Sequence, residues 1–262
     1  MPRSFNPIAV LLLLFSLLIS TGCSKLRARD ELNKGVRAYK AAQFDTAIEH
    51  FKRAIENDPS LLNARVYLAT AYASQFVPGH PSDENKRLGK TAIQAFENVL
   101  EYDPQNIISL SYIAMLHFGL KDFEKSKEFR RKLIEVEPNN PEHYYSIGVI
   151  DWTLTYEPRM RLKARLRLQP LDPLPARERR ELRAQNGALV DEGIEVLRKA
   201  IDMKDDYADA MAYLNLMYRE KADLVDSPVE RERLLQIADD LVDRVQQIMK
   251  KEAEAPAPPA GQ

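Results

Sequence analysis

Small and apolar residues recur along the chain in an arrangement whose unit is longer than one helix. Four segments share it: Ala47-x3-Phe51-x2-Ala54-x4-Pro59, Ala92-x3-Phe96-x2-Val99-x4-Pro104, Ser126-x3-Arg130-x2-Leu133-x4-Pro138 and Gly193-x3-Leu197-x2-Ala200-x4-Asp205. Positions i, i+4 and i+7 lie on one face of an α-helix, so each segment predicts a helix with a buried stripe. Proline, which cannot continue the hydrogen-bond ladder, closes three of them. Upstream sit the matching elements Gly35-x2-Ala38, Leu68-Ala69-x2-Tyr72, Ile113-Ala114-x2-His117 and Ile147-Gly148-x2-Asp151, with another at Leu214-Asn215-x2-Tyr218. Small residues there let two antiparallel helices approach closely, while large ones fill the gaps between pairs. The pattern predicts an all-α fold of about five helix pairs between residues 30 and 251. The second helix of the last pair aligns only loosely, around Ala238, Val242 and Val245, yet its start is clear. Ser227-Pro228-Val229-Glu230 is a capping box with proline at the first helical position.

Two stretches interrupt the pairs. Residues 75–90 include Pro78, Gly79, His80 and Pro81 and read as an inserted loop; residues 157–186 read as a larger insertion before a helix that begins near Gly187. The second insertion opens with Arg159-Met-Arg-Leu-Lys-Ala-Arg-Leu-Arg-Leu168 between Pro158 and Pro170, an alternation that predicts an extended segment. Arg159, Arg161, Lys163, Arg165 and Arg167 would then share one face. Nine Lys/Arg stand against four Asp/Glu in residues 157–186. One reading packs Met160, Leu162, Leu166 and Leu168 along the helices and leaves the cations in water. The other brings the basic face to anionic lipid headgroups, or pairs the strand with a partner's sheet edge. Residues 175–184 read as a short polar helix ending at Asn186-Gly187.

At the N-terminus Arg3 precedes a mostly apolar run, Ile8 to Ser20, followed by Thr21-Gly22-Cys23. The run is shorter than the ~20 residues needed to span a bilayer and reads as a signal peptide, residues 1–22. Cys23 is the only cysteine, so no disulfide is available to the folded part. Residues 252–262, dominated by Ala and Pro, cannot bury apolar surface and read as a disordered tail.

Thr21-Gly22-Cys23 resembles the lipobox of bacterial lipoproteins, in which the cysteine sulfur accepts a diacylglycerol and the new N-terminus is acylated. Ser20 stands where that family usually has Leu, which keeps ordinary cleavage without lipid open. The resemblance implies a lipidated Cys23, a short linker at residues 23–29, and a membrane-anchored chain of the cell envelope. Ser24, rather than Asp, after the cysteine implies the periplasmic face of the outer membrane.

The paired helices resemble the tetratricopeptide repeat and imply a right-handed α-solenoid with insertions in repeats two and four. Lys34 and Arg130 replace residues that are usually apolar or aromatic in that family. Such solenoids hold peptides on the surface lined by the first helices. The lining positions here are Tyr39, Thr70, Ser111, Met115, Phe118, Tyr145, Trp152, Leu216 and Arg219. The aromatic members read as anchors; their alternative role is packing against the next helix. The carboxylate-clamp positions of one subclass hold Leu32 and Val36, which argues against a chaperone-tail clamp.

Composition narrows the function. Lys+Arg 38 nearly cancel Asp+Glu 39, so no global field draws the chain to nucleic acid. No H-E-x-x-H, G-x-S-x-G or G-x-G-x-x-G motif occurs, and the histidines at 50, 80, 117 and 143 lack metal-ligand spacing. The expectation is a scaffold for envelope proteins or peptides, with no catalytic residue, metal, cofactor or small-molecule substrate. The alternative is a structural or membrane-surface protein that uses residues 159–167.

Overall fold

The computed structural model describes the backbone of residues 7–254 and side chains from Cys23 onward. The tail residues 255–262, and the side chains of the apolar leader, lie outside the described residues. Ten helices and no strand occur among the described residues: α1 (Pro7–Lys40), α2 (Phe44–Asn57), α3 (Leu62–Ala73), α4 (Asp83–Leu100), α5 (Ile107–Gly119), α6 (Phe123–Val136), α7 (Pro141–Arg165), α8 (Ala176–Met203), α9 (Ala208–Ala222) and α10 (Pro228–Glu254). The chain divides into two compact units at Phe129/Arg130, within α6.

In the first unit α1 packs on α2, α2 on α3, α3 on α4 and α4 on α5, while α1 touches α3 and α3 touches α5. Its first core joins buried Ala38, Ala47, Ile48, Phe51 and Ala71, with Leu32, Val36 and Tyr39 packed against them. The small residues of the pattern sit where helices come closest. A Cβ on Gly35 would lie 2.5 Å from the Phe51 ring. In the second unit α7 packs on α8, α8 on α9, α9 on α10, and α7 directly on α9. A Cβ on Gly148 would lie 2.4 Å from Leu197 Cγ, so these two helices also depend on a missing side chain.

Helix ends follow local chemistry. The Ser82, Asn106 and Asn140 side chains accept hydrogen bonds from the backbone N–H of Asn85, Ser109 and Glu142 at the starts of α4, α5 and α7. Ser227 Oγ accepts from Glu230 N at 3.3 Å, as the capping box predicts. Three helices stop through one device: Ala42, Lys121 and Arg167 take φ of 56°, 63° and 59°. The following N–H then reaches back, Gln43 to Ala38 O, Asp122 to His117 O and Leu168 to Lys163 O.

Both expected insertions are smaller than the sequence suggested. The loop between α3 and α4 spans only residues 74–82, because α4 already begins at Asp83. Phe76, 7% exposed, anchors it, and the Asn85 amide donates to the carbonyls of Val77 and His80. The second stretch contains no extended segment. Residues 157–165 prolong α7, and residues 176–186 belong to an uninterrupted α8, which leaves a connection at 166–175. Gly187 lies inside α8 and does not end a separate short helix.

Candidate functional site

The helical course of residues 157–165 changes what the basic residues do. In an α-helix Arg159 and Lys163, four apart, share a face, and Arg161 and Arg165 share another. The first face meets α9. Arg159 Nε donates to Glu220 Oε1 at 2.8 Å, Arg159 Nη1 to Asp223 Oδ2 at 3.0 Å, and Lys163 Nζ lies 2.6 Å from Asp223 Oδ2. Lys163 also donates to the carbonyls of Pro170 and Asp172, which ties the 166–175 connection to the cluster. All four side chains are buried. Burial pushes the Glu220 carboxyl up to about 7 against the pull of Arg159, and pushes the Lys163 ammonium down.

The expectation of one basic face formed by Arg159, Arg161, Lys163, Arg165 and Arg167 is therefore corrected. Two of its five members are internal. Arg161 is exposed and pairs with Glu157, Arg165 is exposed, and Arg167 is the left-handed residue that ends α7. Alternating apolar residues misled the reading because Leu162 and Leu166, four apart, make a helical stripe as readily as a two-residue one.

The expected groove residues fall into two groups. In the first unit, Met115 and Phe118 stand 40% and 38% exposed on α5. Ile108 and Ile107, which pattern reading did not select, are 49% and 39% exposed on the same helix. The buried residues Leu110, Ile113, Ala114 and Leu116 occupy its opposite side. At 100° per residue, Ile107, Ile108, Ser111, Met115 and Phe118 form one outward arc. Both faces of α5 being apolar was the available signal for Ile107 and Ile108, since a helix buried on one face normally carries polar residues on the other. Phe118 is braced edge-on by Phe123, with ring centroids 5.5 Å apart. Tyr39 and Thr70 are half-buried and already engaged: Tyr39 OH lies 3.0 Å from Ser74 Oγ, and Thr70 Oγ1 donates to Val66 O.

In the second unit, Tyr145 and Trp152 are half-buried along the seam of α7 and α9. Tyr145 meets Tyr207 and Tyr213, and Trp152 meets Tyr213 and Tyr156, all with centroids within 5.7 Å. Burial, followed by Tyr213 and the carboxylates of Asp209 and Glu142, pushes the Tyr145 hydroxyl up to about 12. The Trp152 indole N–H is shielded from solvent and has no acceptor. Arg219 is held by Asn215 and Asp239. In this unit packing between neighbouring helices occupies the aromatic positions, and among its described residues only Tyr156, 39% exposed, presents a large ring outward.

The histidines are tied locally: His50 to Glu31, His117 to Asp122, His143 to Glu137 and His80 to Ser82. Among the described residues no group of three His, Cys, Asp or Glu could hold a metal ion. Leu32 and Val36 pack in the core of the first unit. Cys23 is exposed on α1.

Comparison with known proteins agrees with this architecture. The tetratricopeptide-repeat family matches residues 113–140, which cover most of α5 and all of α6. No curated protein sequence matches the chain. Among solved structures, MamA protein is similar with a TM-score of 0.59 and 15% identity, covering 89% of this chain and 98% of that one. MamA 41-end from Desulfovibrio magneticus RS-1 is similar with a TM-score of 0.58 and 13% identity over 86% and 97%. YrrB, described as "a TPR protein with an unusual peptide-binding site", has a TM-score of 0.52 and 14% identity over 85% and 90%. The fold is an all-α tetratricopeptide-repeat solenoid.

Proposed function

We propose that this tetratricopeptide-repeat protein is a lipid-anchored adaptor of the bacterial cell envelope, holding a segment of a partner protein against the outward face of α5. A repeat of this kind is a protein–protein interaction scaffold, and the peptide site described for YrrB is a precedent on the same fold. The observation that carries the reading is the arc of Ile107, Ile108, Met115 and Phe118, each more than a third exposed on one helix face. Four large apolar side chains left more than a third exposed along about 16 Å of helix make a contiguous apolar patch, and such patches mark interaction sites. Counted from Ile107 they fall at i, i+1, i+8 and i+11, three turns of one helix face, which suits an extended or helical partner laid along the helix.

The anchor belongs to the same proposal. Lipidation of Cys23 would hold the repeats at the periplasmic face of the outer membrane, where a weak surface gains effective concentration for envelope partners. An assembly role follows from that arrangement. The alternative, a membrane-surface protein built on residues 159–167, loses support because Arg159 and Lys163 are buried in ion pairs.

A photo-crosslinking residue placed at Met115 or Phe118 in the full chain, irradiated in native membranes, tests the site. Discrete adducts are expected from both positions and not from Gln94, which is exposed on α4. Equal adduct patterns from Gln94 and Met115 would remove the assignment.

A further inference from the structure

The basic surface that the second insertion does not provide is found instead beside Cys23. Over residues 23–29, Cys23-Ser-Lys-Leu-Arg-Ala-Arg29, there are three cations and no acid. The segment is helical within α1, and Lys25, Leu26, Arg27 and Arg29 are exposed while Ala28 is fully buried. Leu26 is 67% exposed. Ala28 turns one side of the helix toward the fold. On the other side Leu26 and Arg27 stand three and four positions after Cys23, so all three share a face, with Lys25 and Arg29 flanking it. None of the three cations has an ion pair within 4 Å among the described residues, whereas Asp30, the next acid, is paired with Lys34 at 2.7 Å. Asp58, the other acid close to Lys25 and Arg29, is itself held by Ser60.

We propose that this face of α1 is a second membrane contact, docking on the anionic phosphate headgroups of the bilayer that holds the lipid. The inference rests on lipidation at Cys23. Chains on that sulfur fix the membrane plane at the start of the segment. Arg29 then lies six residues, about 9 Å, along the helix, close to the ~8 Å over which an anionic surface is felt at physiological salt. The occupant follows from charge: three unpaired cations need a surface of phosphates, and an exposed leucine between them needs an apolar layer just below it. A bilayer interface offers both at that spacing. Each cation is expected to strengthen docking about fivefold, which turns a tether into an oriented platform. The repeats would then stand at a set angle to the membrane.

The test uses the full chain, purified after processing, with Leu26→Cys labelled by an environment-sensitive fluorophore and reconstituted into vesicles. Mass spectrometry of the N-terminal peptide first reads the state of Cys23. In vesicles containing phosphatidylglycerol the emission is expected to shift to the blue, relative to pure phosphatidylcholine, and to return at high salt. The triple variant Lys25→Glu, Arg27→Glu, Arg29→Glu should abolish the shift. An unaltered thermal midpoint in that variant shows that the fold is intact. A lipidated Cys23 with the same emission in both vesicles, or a shift that survives charge reversal, overturns the contact and leaves the anchor standing. An unmodified Cys23 overturns the anchor and this inference with it.

Discussion

Replacing Arg159 by alanine separates a structural cation from a surface one. The substitution removes the only described partner of Glu220 and one of the two cations on Asp223, both buried. Breaking a buried pair from one side typically costs about 3–5 kcal/mol, because the remaining charge has neither water nor a counter-ion. Glu220 softens the loss by taking up a proton, which its raised pKa makes easy, so the lower end of that range is expected at pH 6 and the upper end at pH 8. At roughly 2–4 °C per kcal/mol for a chain of this size, the melting midpoint should fall by about 6–20 °C. Arg161→Ala is the matched control: two residues away, exposed and paired only with exposed Glu157, it should move stability by no more than about 0.5 kcal/mol. Thermal and urea unfolding followed by circular dichroism read both variants. Equal, small effects at the two positions would refute the buried cluster, since an extended strand with five solvated cations predicts that equality.

Other outcomes follow from the same structure. Glu220 binds its proton more tightly in the fold, at about 7, than the 4.5 of an unperturbed Glu, so its ionisation opposes folding above pH 7. The wild type should therefore gain up to about 3 kcal/mol relative to Glu220→Gln as pH falls from 8 to 5; a wild-type urea midpoint that stays level with that of Glu220→Gln, or falls relative to it, on acidification contradicts this. Arg167→Gly removes a non-glycine residue from the left-handed region and should raise stability by roughly 0.5–1 kcal/mol, measured by urea denaturation. A loss of stability there would mean that the Arg167 side chain holds the fold. Gly187→Ala, inside α8 with only Arg183 Cγ near its added Cβ at 3.6 Å, should also stabilise, by about 0.5–1 kcal/mol of helix propensity. Destabilisation would indicate that α8 is broken at this point. Met115→Glu with Phe118→Glu should leave the melting midpoint within a few degrees while abolishing photo-adducts formed from Ile108.

The paired-helix fold was legible because its signal is local and repeated. Ala47, Phe51 and Ala54 sit fully buried on α2, as Ala92, Phe96 and Val99 do on α4, since periodic burial imposes the same spacing in each unit. The exposure of Met115 and Phe118 on α5 follows the same repeat pattern, which sets one face of each helix toward its neighbours and leaves the other outside. The misreadings arose where one residue pattern satisfies two periods. Arg159 to Leu168 alternates strictly, yet its arginines, lysine and leucines also fall at helical spacing. Prolines at 158 and 170 looked like boundaries, although Pro158 lies inside α7.

By itself the sequence determined the all-α class, the small-residue spacing of most helix pairs and the Ser227 cap of α10. Each depends on contacts within one repeat or on a motif a few residues long. Tertiary structure alone decided which charges are solvated and which aromatic rings remain available. Arg159 and Lys163 are buried because Glu220 and Asp223, some sixty residues later, stand opposite them at the C-terminal end of α9, and no local pattern encodes that meeting. Likewise Tyr145 and Trp152 are drawn into the seam by Tyr207 and Tyr213, whereas Met115 and Phe118 stay more than a third exposed on α5. Burial of a side chain is a property of two surfaces, and the sequence of one segment specifies only its own.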